Sequence, residues 1–266
     1  MPELIEVETY RRQAETVVGR MVTAVVAPDD WYVKGTTAAE LTAVLPGQQV
    51  LAARRIGKLL VLDLSDGHRL GLRFGMTGRL VVDGDATIDR LLYSSSRNEP
   101  TWDRFGLRFG PSGAAPSGEL VMRDPRRLGG VSLDPDEARL GVDATGVTAV
   151  ELARALRGRG GRVALKAALL DQTRVAGLGN LLADEICWRA GFDPARPTAS
   201  LTDDELAELA AVIRATLDEL TRRGGSHTGD LQPARIPGGY CPRDGAPLQR
   251  RNIGGRTTVS CPRHQR

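Results

Sequence analysis

The 266-residue sequence predicts an α+β protein on three observations. Between Met21 and about Leu133, short apolar runs alternate with Gly, Asp, Pro and Ser turns, the pattern of a mostly antiparallel β domain. From about Thr148 the apolar residues recur at helical spacing instead. The last stretch, from Gly224, is rich in Gly and Pro and holds two paired metal-type knuckles around a short hairpin.

Each element follows in order. The opening "MPELIEVE" suits a helix start: Pro2 lacks an N–H that the first helical position does not use, and Glu3 and Glu6 complement the positive end of the helix dipole. Leu4, Val7, Ala14 and Val18 share one face, which predicts a helix over 3–18. The strands are "VTAVVA", "KLLVLDL", "RLGLRFG", "GRLVVDG", "RFGLRFG" and "GELVMRD". "LGVDATGV" then reads as a hinge. The helices are "AVELARAL", "RVALKAALLD", "NLLADEICWRAG" and "DDELAELAAVIRATLDELTRR", the last opened by the start signal Leu201-Thr202-Asp203-Asp204. The expected domains are 1–133, a linker over 134–147, 148–223, and a terminal unit over 224–266.

Composition narrows the function class. With 41% hydrophobic and 26% charged residues the chain has enough apolar side chains for two cores, which excludes a disordered protein. No apolar run is long enough to span a bilayer and no basic-then-apolar leader opens the chain, so a cytoplasmic protein with no membrane partner is expected. Three cysteines cannot build a disulfide framework, and Cys187 reads as a small buried helix residue. Net charge is only +3, but from Arg222 onward nine arginines face two acids. The basic charge is therefore local, and it suits a polyanionic partner at the C-terminal end. Lysine is nearly absent: Lys34, Lys58 and Lys166 stand against 33 arginines, a bias that singles these three out for inspection.

Two motifs carry chemistry on their own residues. Cys241-x2-Asp244 and Cys261-x2-His264 are separated by sixteen residues with a central "IGG" turn, the layout of a zinc-pinned β-hairpin with one zinc per chain. Aspartate is an unusual fourth ligand, and Asp244 is alternatively a turn residue of a metal-free hairpin. In "VAGLGN", Gly177 and Gly179 allow close backbone approach to a ligand, and Asn180 opens the next helix, where free N–H groups bind phosphate oxygens. A tight helix–helix turn is the alternative. A preceding helix rules out a dinucleotide fingerprint.

Pro2-Glu3-Leu4, "IGKLL" around Lys58, "FGMTG" around Met76, "RDPRRLGG" around Arg126, "DQTRVAGLGNLLADE" and the terminal hairpin stand in the order found in the bacterial formamidopyrimidine-DNA glycosylase and endonuclease VIII family. The sequence resembles that family from end to end. The resemblance implies an N-terminal β-sandwich, a helix-two-turn-helix domain and a zinc-finger hairpin, acting as a monomer on double-stranded DNA that contains oxidised bases or abasic sites. It also implies a bifunctional glycosylase and AP lyase in which the start methionine is removed and the amine of Pro2 attacks C1′ of the damaged nucleotide. An α-amino group is roughly a tenth neutral at pH 7, against about one lysine in a few thousand, which explains the use of a terminus. Glu3 would shuttle protons during ring opening and elimination. Lys58 would hold the phosphate beside the lesion, with Asn180 and Arg256 clamping the backbone. Met76 and Leu128 would fill the hole left by the flipped base as wedges, with Arg126 reaching the widowed base. Arg73, Lys166, Gly177 and Gly179 complete the expected DNA-contacting set.

The chain departs from the family pattern at several places. Ile5 replaces the usual second proline, Arg73 stands where histidine is common, and Leu128 replaces a phenylalanine. Only fifteen residues separate Gly225 from Cys241, where a longer loop usually closes over 8-oxoguanine. Hydantoins and oxidised pyrimidines therefore stand beside 8-oxoguanine and formamidopyrimidine as substrates. A binding-only damage sensor would need neither Pro2 nor Glu3, and an RNA-binding zinc protein would explain the hairpin but not the N-terminus.

Overall fold

The computed structural model describes residues 2–88, 91, 92, 95, 97, 99–110, 117–158 and 162–266. The chain divides into two compact units. One holds Pro2 and Glu6–Glu137, and the other holds Glu3–Ile5 and Ala138–Arg266.

The first unit starts with α1 (Leu4–Ala14), whose first turn belongs to the other unit. The helix is shorter than its periodicity predicts. It passes into a 3-10 turn at Glu15–Val17, and Val18 turns outward, 39% exposed, where the chain reverses at Gly19 with φ +86°. β1 (Met21–Val26) and α2 (Ala38–Val44) follow, α2 closed by a reciprocal capping box between Thr37 and Glu40. Then come β2 (Val50–Ile56), β3 (Leu59–Leu64), β4 (Arg69–Arg73), β5 (Arg79–Val82), β6 (Asp103–Gly110), β7 (Gly118–Arg123) and β8 (Gly130–Leu133). They form two four-stranded antiparallel sheets, ordered β1-β6-β7-β5 and β2-β3-β4-β8. One apolar core draws on both sheets, with Leu60, Leu62, Leu70 and Leu72 from one and Phe105, Leu107, Leu120 and Met122 from the other, so the unit is a β-sandwich.

The second unit is built on helices. A short parallel pair, β9 (Val142–Asp143) with β10 (Val175–Ala176), brackets α3 (Ala149–Arg157) and α4 (Leu165–Leu170). α5 (Asn180–Ala190) and α6 (Asp203–Arg222) complete the core with Leu152, Leu169, Ile186, Leu209 and Ile213. Thr148 and Thr202 each make a capping box, with Glu151 and Glu205, so both helix starts are settled by local hydrogen bonds. Cys187 lies in this core, its thiol pKa pushed up by burial. The chain ends in the antiparallel hairpin β11 (Gln249–Ile253) and β12 (Arg256–Ser260), turned by Gly254 and Gly255 at φ +59° and +72°.

Candidate active site and nucleic-acid interface

In the first unit, strand register gathers the expected cations. Gly57, with φ +56°, takes the first place of the two-residue turn between β2 and β3, and Lys58 takes the second, half-buried. Across the sheet, Leu59 pairs with Arg73 at the end of β4, and Arg73 pairs with Gly130 at the start of β8. Beyond β8, Val33 bridges Val131, and the Lys34 N–H donates to the Val131 carbonyl at 2.7 Å. One line of register thus carries Lys58, the exposed Arg73 and Lys34 to the same end of the sheet. The Lys58 turn is also tied to α1, because the Arg55 guanidinium donates to Gly57 O at 2.9 Å and to Glu8 at 3.3 Å.

The three expected wedge residues lie on two adjoining loops. Gly75, with φ +57°, approaches the β7–β8 loop so closely that a Cβ there would stand 2.3 Å from the Leu128 carbonyl carbon. Met76 beside it is half-buried, while Arg126 and Leu128 are exposed. The residue that joins these loops escaped the sequence reading. Asp124, fully buried, accepts the Thr77 hydroxyl at 2.5 Å and the Arg126 N–H at 3.1 Å on one oxygen, and the Gly129 N–H at 2.8 Å on the other. Its sequence signal is the Asp-Pro that opens "DPRR", since aspartate readily bonds the N–H two residues on. Arg127, at φ +56°, is held by a bidentate pair with Asp29, both distances 2.6 Å. That pairing holds the Asp29 carboxyl below its usual range.

In the second unit the decisive group is Glu3. Its carboxylate accepts the N–H groups of Gly179 at 2.8 Å, Leu181 at 2.9 Å and Leu182 at 3.2 Å, and so caps α5 from 176 residues away. This changes the expectation for "VAGLGN". The N–H groups of Gly179, Leu181 and Leu182, part of what was read as a phosphate cradle, are already taken by the chain's own carboxylate. The two glycines are required by the N-terminal segment: a Cβ on Gly179 would lie 2.3 Å from Glu3 Cδ, and one on Gly177 would lie 2.4 Å from Leu4 Cδ1. Gln172, also unanticipated, shapes the turn by accepting the Gly177 N–H and donating to the Leu178 carbonyl, both at 3.0 Å. Asn180 remains half-buried at the helix start, with its Oδ1 lacking a hydrogen-bond partner.

Lys166 requires a correction. It was expected to contact DNA, but it is fully buried, and its ammonium lies 2.7 Å from Asp184, 2.8 Å from the Thr258 hydroxyl and 2.9 Å from the Thr257 carbonyl. Burial lowers its pKa while Asp184 opposes that shift. Asp184 is also bound by Arg235 and the Val259 N–H. Lys166 therefore pins the hairpin to α4 and α5, and no phosphate reaches it. Arg256 stays exposed at the hairpin turn, one residue before the pinned Thr257.

The four knuckle residues converge. One atom from each of Cys241, Asp244, Cys261 and His264 lies within 4.8 Å of all the others. A tetrahedral zinc ion would separate a sulfur and a nitrogen ligand by about 3.5 Å, and Cys241 Sγ stands 3.6 Å from His264 Nδ1. Cys261 Sγ is 3.3 Å from the Asp244 carboxylate. His264 Nε2 lies 3.2 Å from the Trp188 carbonyl, and Nδ1 faces the cluster, 2.9 Å from the Asp244 carboxylate. The indole N–H of Trp188 points at Cys241 Sγ from 3.3 Å, as it would toward a thiolate ligand. Asp244 is held well below the usual carboxylate range by the Ala246 N–H and by His264. The donor set fits a C-terminal zinc site.

Comparison with known proteins gives the family. Residues 1–131 match the formamidopyrimidine-DNA glycosylase N-terminal domain, and residues 140–231 match the formamidopyrimidine-DNA glycosylase H2TH domain. A formamidopyrimidine-DNA glycosylase of Paracoccus denitrificans is 34% identical, over 98% of this chain and 99% of that one. The chain belongs to the formamidopyrimidine-DNA glycosylase family. A relative from Thermus thermophilus is also 34% identical, over 98% of this chain and 97% of its own. The Lactococcus lactis Fpg bound to DNA containing an abasic site superposes with a TM-score of 0.79 at 27% identity, each chain fully covered. The same protein with Fapy-dG-containing DNA gives 0.80 at 28%, over 99% of this chain and all of that one. These relatives do not favour the binding-only alternative. No helix among the described residues is long and apolar enough to cross a membrane.

Proposed function

We propose that this chain, a base-excision-repair DNA glycosylase with AP lyase activity, acts through the secondary amine of Pro2 once the preceding methionine is removed. The amine attacks C1′ of the damaged nucleotide and loses its proton, the base leaves with the bonding pair, and the C1′–O4′ ring bond then breaks, O4′ keeping the pair and taking up a proton, to leave a covalent iminium. That cation acidifies the C2′ protons, so β- and then δ-elimination cut the strand on both sides. Glu3 moves the protons. The observation that carries this reading is the fixing of the Glu3 carboxylate, directly after Pro2, by three backbone N–H groups.

Lys58 and Arg73 then take phosphates near the lesion, Asn180 and Arg256 take others, and Met76, Arg126 and Leu128 occupy the space left in the stack. One zinc per chain on Cys241, Asp244, Cys261 and His264 holds the basic hairpin in shape. Every group invoked comes from one copy, so a monomer working on chromosomal DNA in the cytoplasm suffices. The substrates are duplexes carrying oxidised bases or abasic sites. The test is borohydride trapping on an abasic duplex: processed protein should form an adduct that mass mapping places on Pro2, and Pro2→Gly should largely abolish it. An adduct on Lys58 would overturn the mechanism.

A further inference from the structure

Trp31 is the most exposed aromatic residue of the 3-10 segment that follows β1, with 66% of its surface open to solvent. Such a side chain offers a broad apolar face with a polar N–H edge, the kind enriched at interfaces. Its neighbours are held firmly against the loop that carries the wedge residues. Asp29 is paired with Arg127, Tyr32 packs where a Cβ on Gly129 would lie 2.3 Å from its hydroxyl, and Lys34 crosses Gly130 so closely that a Cβ there would meet its Cγ at 2.8 Å. Three of the six residues from Asp29 to Lys34 are thus held against Arg127, Gly129 and Gly130 of the wedge loop and of β8. Trp31 stands among them with its side chain outward. The Lys34 ammonium sits 4.1 Å from its ring centroid, and among the described residues no other ring or cation stacks on it.

The charge around the ring suits a polyanion. Arg73, exposed, pairs across from Gly130, and Arg126, exposed, lies on the adjoining loop. Asp29 is neutralised by Arg127, which leaves Asp30 as the acid beside the ring. We infer that Trp31, backed by Lys34, is a further DNA-contacting platform: its ring stacks on a base or sugar face exposed where the wedge opens the duplex, and Lys34 engages the adjacent phosphate. This rests on the proposed function, since the wedge loop is what places the platform on DNA. A stacking surface is useful at this position because opening the helix exposes π-faces that a closed duplex does not offer.

The experiment compares wild type, Trp31→Ala, Trp31→Phe and Lys34→Ala on two duplexes, one containing a tetrahydrofuran abasic analogue and one undamaged, with tryptophan emission and affinity both followed. The expected result is quenching of emission by the tetrahydrofuran duplex, lost in Trp31→Ala. Affinity for that duplex should fall between about five- and a hundredfold, the span of base–aromatic stacking, with a smaller loss on undamaged DNA and partial rescue by Trp31→Phe. Lys34→Ala should shrink the log–log salt slope by about 0.9. Wild-type affinity and unchanged quenching in a folded Trp31→Ala protein would overturn the platform and leave the glycosylase reading standing. If wild type itself shows no preference for the tetrahydrofuran duplex and forms no borohydride adduct, the functional reading fails first.

Discussion

Replacing Gly179 with alanine should separate catalysis from DNA grip. The backbone there has φ −119° and ψ −166°, extended values that any residue adopts, so alanine brings no backbone strain. The new methyl group would instead stand 2.3 Å from Glu3 Cδ and 2.4 Å from Glu3 Oε1. Ordinary carbon contacts begin near 3.5 Å, so the carboxylate must retreat by roughly 1 Å. That retreat breaks at least one of its three charge-assisted hydrogen bonds, at about 1.5–3 kcal/mol each, and should lower the melting temperature of the helical unit by roughly 3–10 °C. A catalytic group displaced by about 1 Å typically costs on the order of a hundredfold in rate. Single-turnover excision from a duplex carrying an oxidised base should therefore slow by about that factor, while affinity for undamaged duplex and its salt slope stay as in wild type. A folded Gly179→Ala protein that excises at the wild-type rate would refute the assignment of the glycine to Glu3 placement and would weaken the case for Glu3 itself.

Arg256→Ala should weaken binding to damaged and undamaged duplexes alike and reduce the salt slope by about 0.9, measured by titration at several salt concentrations. Lys166→Met should behave differently: it breaks a buried pair, so thermal unfolding should report a loss of roughly 3–5 kcal/mol with the salt slope unchanged. Elemental analysis should find about one zinc per chain, and Cys261→Ala or a chelator should remove it and weaken DNA binding. Glu219 is held at about 2 by hydrogen bonds from Arg189 and then Arg223. A depressed carboxyl pKa stabilises the fold above its unfolded value of 4.5, and that contribution is lost as pH falls toward about 2. Glu219→Gln should therefore lower the melting temperature at pH 7 more than at pH 3.

Much of the molecule was legible in the sequence because the determining interactions are local. The capping threonines at 148 and 202 close on glutamates three residues away, the glycines at 254 and 255 supply the positive φ of their own turn, and the metal-type knuckles keep each pair of ligands within four residues. Most strands of the sandwich showed themselves for the same reason, as short apolar runs bounded by turn residues. β2 did not, because its "AARRI" presents half-buried alanine and arginine that ion-pair with Asp63, Glu137 and Glu8 and shows no apolar alternation. β8 was missed because four residues are too few for a period.

What only the tertiary structure decided involves partners far apart in the chain. Strand order places β5 beside β7 and β8 beside β4, and no local signal encodes those pairings. Lys166 looks like any phosphate-seeking lysine until the fold encloses it with Asp184, Thr257 and Thr258. The local sequences around Gly179 and Asp124 do not name their distant partners, a carboxylate 176 residues away and a loop 47 residues away. The physical reason is common to these cases. Hydrogen-bond closure within a few residues leaves a pattern in the sequence, whereas desolvation and close packing depend on which distant side chain fills the space, and that is defined only once the chain has folded.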